Sequence, residues 1–130
     1  MPTTATRRKD RITYAQAFDI NGNTPPQAIA LEESVLGALM LDQTALINAI
    51  ETLHVEYFYK PEHQTVYKAI RKLFEQSQPV DLLTVVERLR IDGELEAAGG
   101  AYTVSKLTEN VVSAAHIEYH IRVLSEKYMK

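Results

Sequence analysis

Hydrophobic spacing divides the chain into a short patternless start and a long helical remainder. Residues 1–24 show no sustained period and run into Asn21-Gly22-Asn23-Thr24-Pro25-Pro26, a turn-rich stretch. From Gln27 the pattern becomes helical. Ile29, Glu32, Leu36 and Met40 fall near one face, and Val35, Ala38, Leu39 and Leu41 widen the apolar surface. A helix this apolar belongs at the centre of a domain. Gly37 lies inside it, where glycine costs about 1 kcal/mol relative to alanine, so a close helix crossing is expected there. Asp42 suits the cap of a second helix, with Leu46, Ile50 and Leu53 on one face.

Tyr57-Phe58-Tyr59-Lys60-Pro61 interrupts the helices, and Pro61 fits the first turn of the next. Val66, Ala69, Ile70, Leu73 and Phe74 then give the clearest amphipathic spacing in the chain. Ser77-Gln78-Pro79 stops that helix. Asp81 caps a fourth, carrying Leu82, Val85, Val86 and Leu89, and Asp92-Gly93 ends it. A short helical piece is expected at Glu94–Ala98, closed by Gly99-Gly100, followed by a helix near Ala101–Thr108. Ser113 suits the cap of a last helix with Ile117, Ile121, Leu124 and Tyr128 as its stripe, still running at Lys130 as in a cut fragment. No strand alternation or repeat appears. The expected fold is all-α, a compact multi-helix bundle. Its expected divisions are 1–24 as a flexible tail, 25–110 as a globular helical head and 111–130 as the start of a further helical element.

Composition narrows the function. Hydrophobic residues make up 45% of 130, enough for one real core. There is no cysteine, hence no disulfide and no thiolate metal site, which fits a cytosolic protein. No apolar run is long enough to span a membrane, and none follows the basic start as in a signal peptide. Residues 1–24 hold four basic against two acidic residues, a net of +2; the remainder holds ten against fifteen, a net of −5. An acidic folded part argues against phosphate binding as its main task. Arg7, Arg8, Lys9 and Arg11 are the candidate nucleic-acid contacts, weighed against a solvated tail.

Candidate chemistry is sparse. A phosphate-cradling loop needs G-x-x-x-x-G-K-[ST], and no such segment occurs. Cofactor-binding and catalytic residues are therefore assigned as none. His116 and His120 stand at i, i+4, but Ile117 occupies the place where a metalloprotease helix has its glutamate. No designed metal site is assigned; adventitious binding of a divalent transition metal is the favoured reading of the pair. His63 reads as a packing or hydrogen-bonding residue, and His54 carries no pattern. Glu32 and Glu33, about 100° apart on a helix, cannot share a proton. Tyr57, Phe58 and Tyr59 read as a loop pinned into the core in preference to a base-stacking platform.

A set of segments then points to a family. Pro25-Pro26-Gln27 with Glu32-Glu33-Ser34-Val35-Leu36-Gly37-Ala38-Leu39-Met40-Leu41-Asp42 resembles the opening of the DnaB-type replicative helicases. Phe58-Tyr59-Lys60-Pro61-Glu62-His63 resembles the family's FYxPxH, and Pro79-Val80-Asp81-Leu82-Leu83-Thr84 its PxDLxT. Gly93-Glu94-Leu95, Gly99-Gly100, Ser113-Ala114-Ala115-His116-Ile117-Glu118-Tyr119 and Ser125-Glu126-Lys127 follow in the family's order. The resemblance covers residues 25–130. It departs at Tyr57, where the family is usually acidic, at His116, usually asparagine, and at Thr103, where a tyrosine is usual and Tyr102 lies one position earlier.

The resemblance implies a parent ATP-dependent helicase, hexameric and cytoplasmic in bacteria, whose separate motor uses ATP and magnesium and makes most DNA contacts. This chain would be its non-catalytic N-terminal domain. Such domains build a collar on the ring, pair through a helical hairpin and help dock primase; a helicase loader is a further candidate partner. The last helix would be the truncated first arm of that hairpin. Tyr102, Ile117, Ile121, Leu124 and Tyr128 are the candidate protein-interface residues. Two readings of the last helix stay open: its stripe meets a partner subunit and primase, or it packs back on the chain's own core. The alternative function is a small DNA-binding helical domain using the basic tail.

Overall fold

The computed structural model describes residues 26–109 and 116–129, with side chains at 29–109 and 116–126. Six α-helices and one 3-10 turn occur among these residues, and no strand. They are α1 (Pro26–Leu41), α2 (Gln43–Ala49), the 3-10 turn (Val55–Tyr57), α3 (Pro61–Glu75), α4 (Leu82–Ile91), α5 (Gly100–Lys106) and α6 (Ile117–Met129).

α1 is the central element, and α2, α3 and α6 pack around it. Leu31, Val35, Leu36, Ala38, Leu39 and Met40 are all buried, whereas Leu41 at its end is exposed. A helix that is apolar on most sides needs cover from several neighbours, and this one receives it.

Local chemistry sets the boundaries. Asp42 ends α1 in extended conformation, and its Oδ1 accepts from the N–H groups of Thr44 at 2.9 Å and Ala45 at 3.2 Å to start α2. The carbonyls after α2 are met by α3: Arg71 Nη1 donates to Ile50 O at 3.0 Å, and the Tyr67 hydroxyl donates to Leu53 O at 2.6 Å. Pro61 stands in the first turn of α3. Asp81 and Thr84 form a reciprocal capping box at the start of α4.

α3 and α4 end alike. Ser77 (φ 59°) and Gly93 (φ 72°) both take the left-handed conformation. The next residue's N–H closes the turn each time, Gln78 onto Leu73 O at 2.9 Å and Glu94 onto Leu89 O at 2.8 Å.

Three boundaries differ from expectation. α2 ends at Ala49, so Leu53, expected on the same helical face as Leu46, is buried in the loop beyond it. Leu95–Gly99 forms a run of turns in place of a helical piece over Glu94–Ala98, with the Gly100 N–H reaching Leu95 O at 2.9 Å. The next helix runs Gly100–Lys106: Gly99 (φ 100°) and Gly100 (φ 90°) turn the chain into it one residue before Ala101, and it gives way to turns over Leu107–Glu109. The expected Ser113 cap lies outside the described residues.

Candidate functional site

Tyr102 sits on α5, a helix of two turns anchored from below by buried Val104 and followed by buried Leu107. Its entry is tight: a Cβ on Gly99 would come within 2.8 Å of Thr103 Cγ2. With Val104 turned inward, Tyr102 is held outward and is 72% exposed. Lys106 Nζ lies 5.3 Å from its ring centroid and 3.4 Å from its hydroxyl. Beneath this helix is a cavity of about 150 Å³, lined by Lys60, Glu62, His63, Thr103 and Lys106 among others.

Of the two readings of the α6 stripe left open above, its burial fits the second. Ile117, Ile121 and Leu124 are buried in the chain's own core, Leu124 to 0% exposure. α6 lies on α1, α2 and the 3-10 turn, and Asn48 Nδ2 donates to Glu118 Oε2 at 3.3 Å beside that contact. The reason is the composition of α1, whose apolar flanks must be covered. Burying an Ile or Leu side chain stabilises by about 1.5–3 kcal/mol, so these three are part of the fold and present no free surface to a partner. Of the five interface candidates, Tyr102 is exposed, three are core, and the side chain of Tyr128 lies outside the described residues. Arg7, Arg8, Lys9 and Arg11 lie outside them as well.

A polar cluster emerges that sequence reading did not assemble. Glu32 on α1 is 0% exposed, yet its carboxylate has three partners. Oε2 accepts from Tyr59 N–H at 2.6 Å; Oε1 faces Lys60 N–H at 3.4 Å and His63 Nδ1 at 2.7 Å. Lys60 is the N-cap residue of α3 and has no side-chain cap of its own. Glu32 therefore caps α3 from another helix, and the accepting carboxylate assigns the hydrogen to Nδ1 of His63. The available signal was a carboxylate on the apolar face of α1, since a buried acid must be paired.

His116, directly before α6, is exposed, and His120 in the first turn of α6 is half-buried. Burial holds the His120 imidazole below its ordinary value, and the neighbouring His116 pushes the same way. Among the described residues no three His, Asp or Glu side chains are arranged to hold a metal. No described helix is long and apolar enough to cross a membrane.

The fold and these surfaces define a class: an all-α domain whose most exposed described aromatic, Tyr102, stands on a short, firmly seated helix. Comparison with known proteins sharpens this. Residues 24–126 match the family described as the DnaB-like helicase N terminal domain. The chain is 50% identical over 123 residues to the replicative DNA helicase DnaB of Rhodothermus marinus, covering 92% of this chain and 13% of that protein. It is 42% identical over 103 residues to the replicative DNA helicase DnaB of Geobacillus stearothermophilus, covering 79% and 23%. The crystal structure of the N-terminal domain of DnaB helicase from Mycobacterium tuberculosis superposes with a TM-score of 0.74 at 37% identity, over 78% of this chain and 72% of that one. The chain belongs to the DnaB-like helicase N-terminal domain family. What these residues comprise is that domain and not an ATP-hydrolysing motor.

Proposed function

We propose that this domain is the non-catalytic assembly and docking module of a replicative helicase, working in DNA replication in the bacterial cytoplasm. It joins other copies of the helicase subunit in the collar of a hexamer and offers a landing surface to primase. A helicase loader is a further partner under this reading. ATP and magnesium belong to the motor, which also makes most DNA contacts. Beyond its buried stripe, α6 leads into the helical hairpin through which subunits pair.

The observation that carries the reading is the family match over residues 24–126. The structure supports it in a second way. The head is a packed scaffold, and α5 holds Tyr102 outward on it. Aromatic side chains held rigidly in this way suit protein recognition, because little conformational freedom is lost on binding.

The test is a calorimetric titration of the chain with the C-terminal region of the primase from the same organism, with light scattering on the chain alone. Saturable binding that weakens in Tyr102→Ala supports the docking role. No binding, repeated with a chain extended past Lys130, would overturn it.

A further inference from the structure

We infer that His116 and His120 form a two-histidine chelate for a borderline divalent cation such as Ni²⁺, Cu²⁺ or Zn²⁺ at the start of α6. His116 is the 3-10 residue directly before α6 and His120 lies in its first turn, a spacing of four that brings the two rings to the same side, 6.5 Å apart between centroids. Metal–nitrogen bonds of about 2.0–2.1 Å around a tetrahedral ion bring two imidazole centroids to about 5 Å. The exposed His116 ring therefore has to swing inward by roughly 1.5 Å, and as an exposed side chain it is free to do so. His120 supplies the fixed half: its ring sits edge-on to Tyr119, with centroids 5.7 Å apart, and its Nδ1 is buried with no hydrogen-bond partner among the described residues.

The ligand chemistry favours this class of cation. Imidazole nitrogen is a borderline donor that suits Ni²⁺, Cu²⁺ and Zn²⁺ alike. Glu118 is engaged with Asn48, and no third protein ligand joins the pair among the described residues. Water completes the coordination. A cation bridging positions 116 and 120 clamps the first turn of α6, the turn from which Ile117 and Ile121 reach the core.

The experiment titrates the untagged, chelator-treated chain with Ni²⁺ by calorimetry, with thermal unfolding in parallel. Expected are one equivalent bound, a rise in Tm with Ni²⁺ concentration as linkage requires, and the affinity order Cu²⁺ above Ni²⁺ above Co²⁺. His116→Ala, an exposed change that leaves the fold intact, should abolish both the saturable heat and the Tm rise. His120→Asn should do the same, and His54→Ala should change neither. Absence of one-equivalent binding, or binding retained in His116→Ala, would overturn the chelate.

Discussion

Glu32 and His63 lie 31 positions apart in sequence, and in the fold Oε1 meets Nδ1 at 2.7 Å with both side chains buried. The pair joins the middle of α1 to the first turn of α3. The same carboxylate also holds the Tyr59 N–H, so one side chain fixes the loop, the helix start and the imidazole together. A buried carboxylate is costly unless its lone pairs are filled, and here the fold fills them.

Glu32→Ala should destabilise the domain by about 3 kcal/mol, because it strands the buried donors that its side chain accepts from. Glu32→Gln keeps an acceptor oxygen and should cost less. Urea unfolding of the two variants checks this. Equal stability of Glu32→Ala and the parent chain would show that the network contributes nothing net.

How much of this was legible in sequence depends on range. Asp42, Pro61 and Asp81 were readable because a cap acts on N–H groups two or three residues away. The amphipathic faces of α2 and α3 were readable for the same local reason, and Leu46, Val66 and Ile70 are buried; Leu53 is buried too, but from the loop after α2. The stripe on α6 was visible, but spacing reports only that a face is apolar and not what covers it. α1 covers it, a relation spanning some eighty residues. The Glu32–His63 pair was hidden likewise, since neither residue's neighbours announce the other. The family was legible from short segments in order, while Tyr102 as a partner contact rests on the proposed function.

The two kinds of interface candidate should now behave oppositely. Leu124→Ala removes a fully buried side chain and should cost about 2–5 kcal/mol. Tyr102→Ala removes an exposed one and should shift stability by no more than about 0.5 kcal/mol while weakening primase binding. Denaturation and titration on the same two variants separate core from surface. A mild Leu124→Ala would mean that α6 is not anchored on the head in solution.

The twin ends of α3 and α4 give a controlled comparison. Ser77 and Gly93 adopt the same left-handed conformation, but only glycine does so without steric cost. Ser77→Gly should raise stability by about 0.5–1 kcal/mol, and Gly93→Ala should lower it by about 1 kcal/mol. Nothing lies within 4 Å of a Cβ at Gly93, so its loss reflects backbone strain alone. Opposite signs in thermal unfolding confirm the geometry; a destabilising Ser77→Gly contradicts it.

Acid should weaken the domain in two separable steps. Burial, helped by His116, lowers the His120 value from the ordinary 6.5. The unfolded chain therefore takes up that proton first, and stability falls as pH drops from the ordinary histidine range toward the lowered value. Asp92 behaves as an acid whose folded value is depressed, chiefly by the hydrogen bond from Lys72 at 3.1 Å and further by the charge of Arg88. Its contribution is fully present above the ordinary carboxylate value of 3.8 and is lost as pH falls below that through the folded value. Urea midpoints measured from pH 8 to pH 3 should show both limbs. His120→Gln should flatten the upper one and leave the lower, and Asp92→Asn should flatten only the lower. An upper limb unchanged in His120→Gln would mean that the imidazole is as well solvated in the fold as in the unfolded chain.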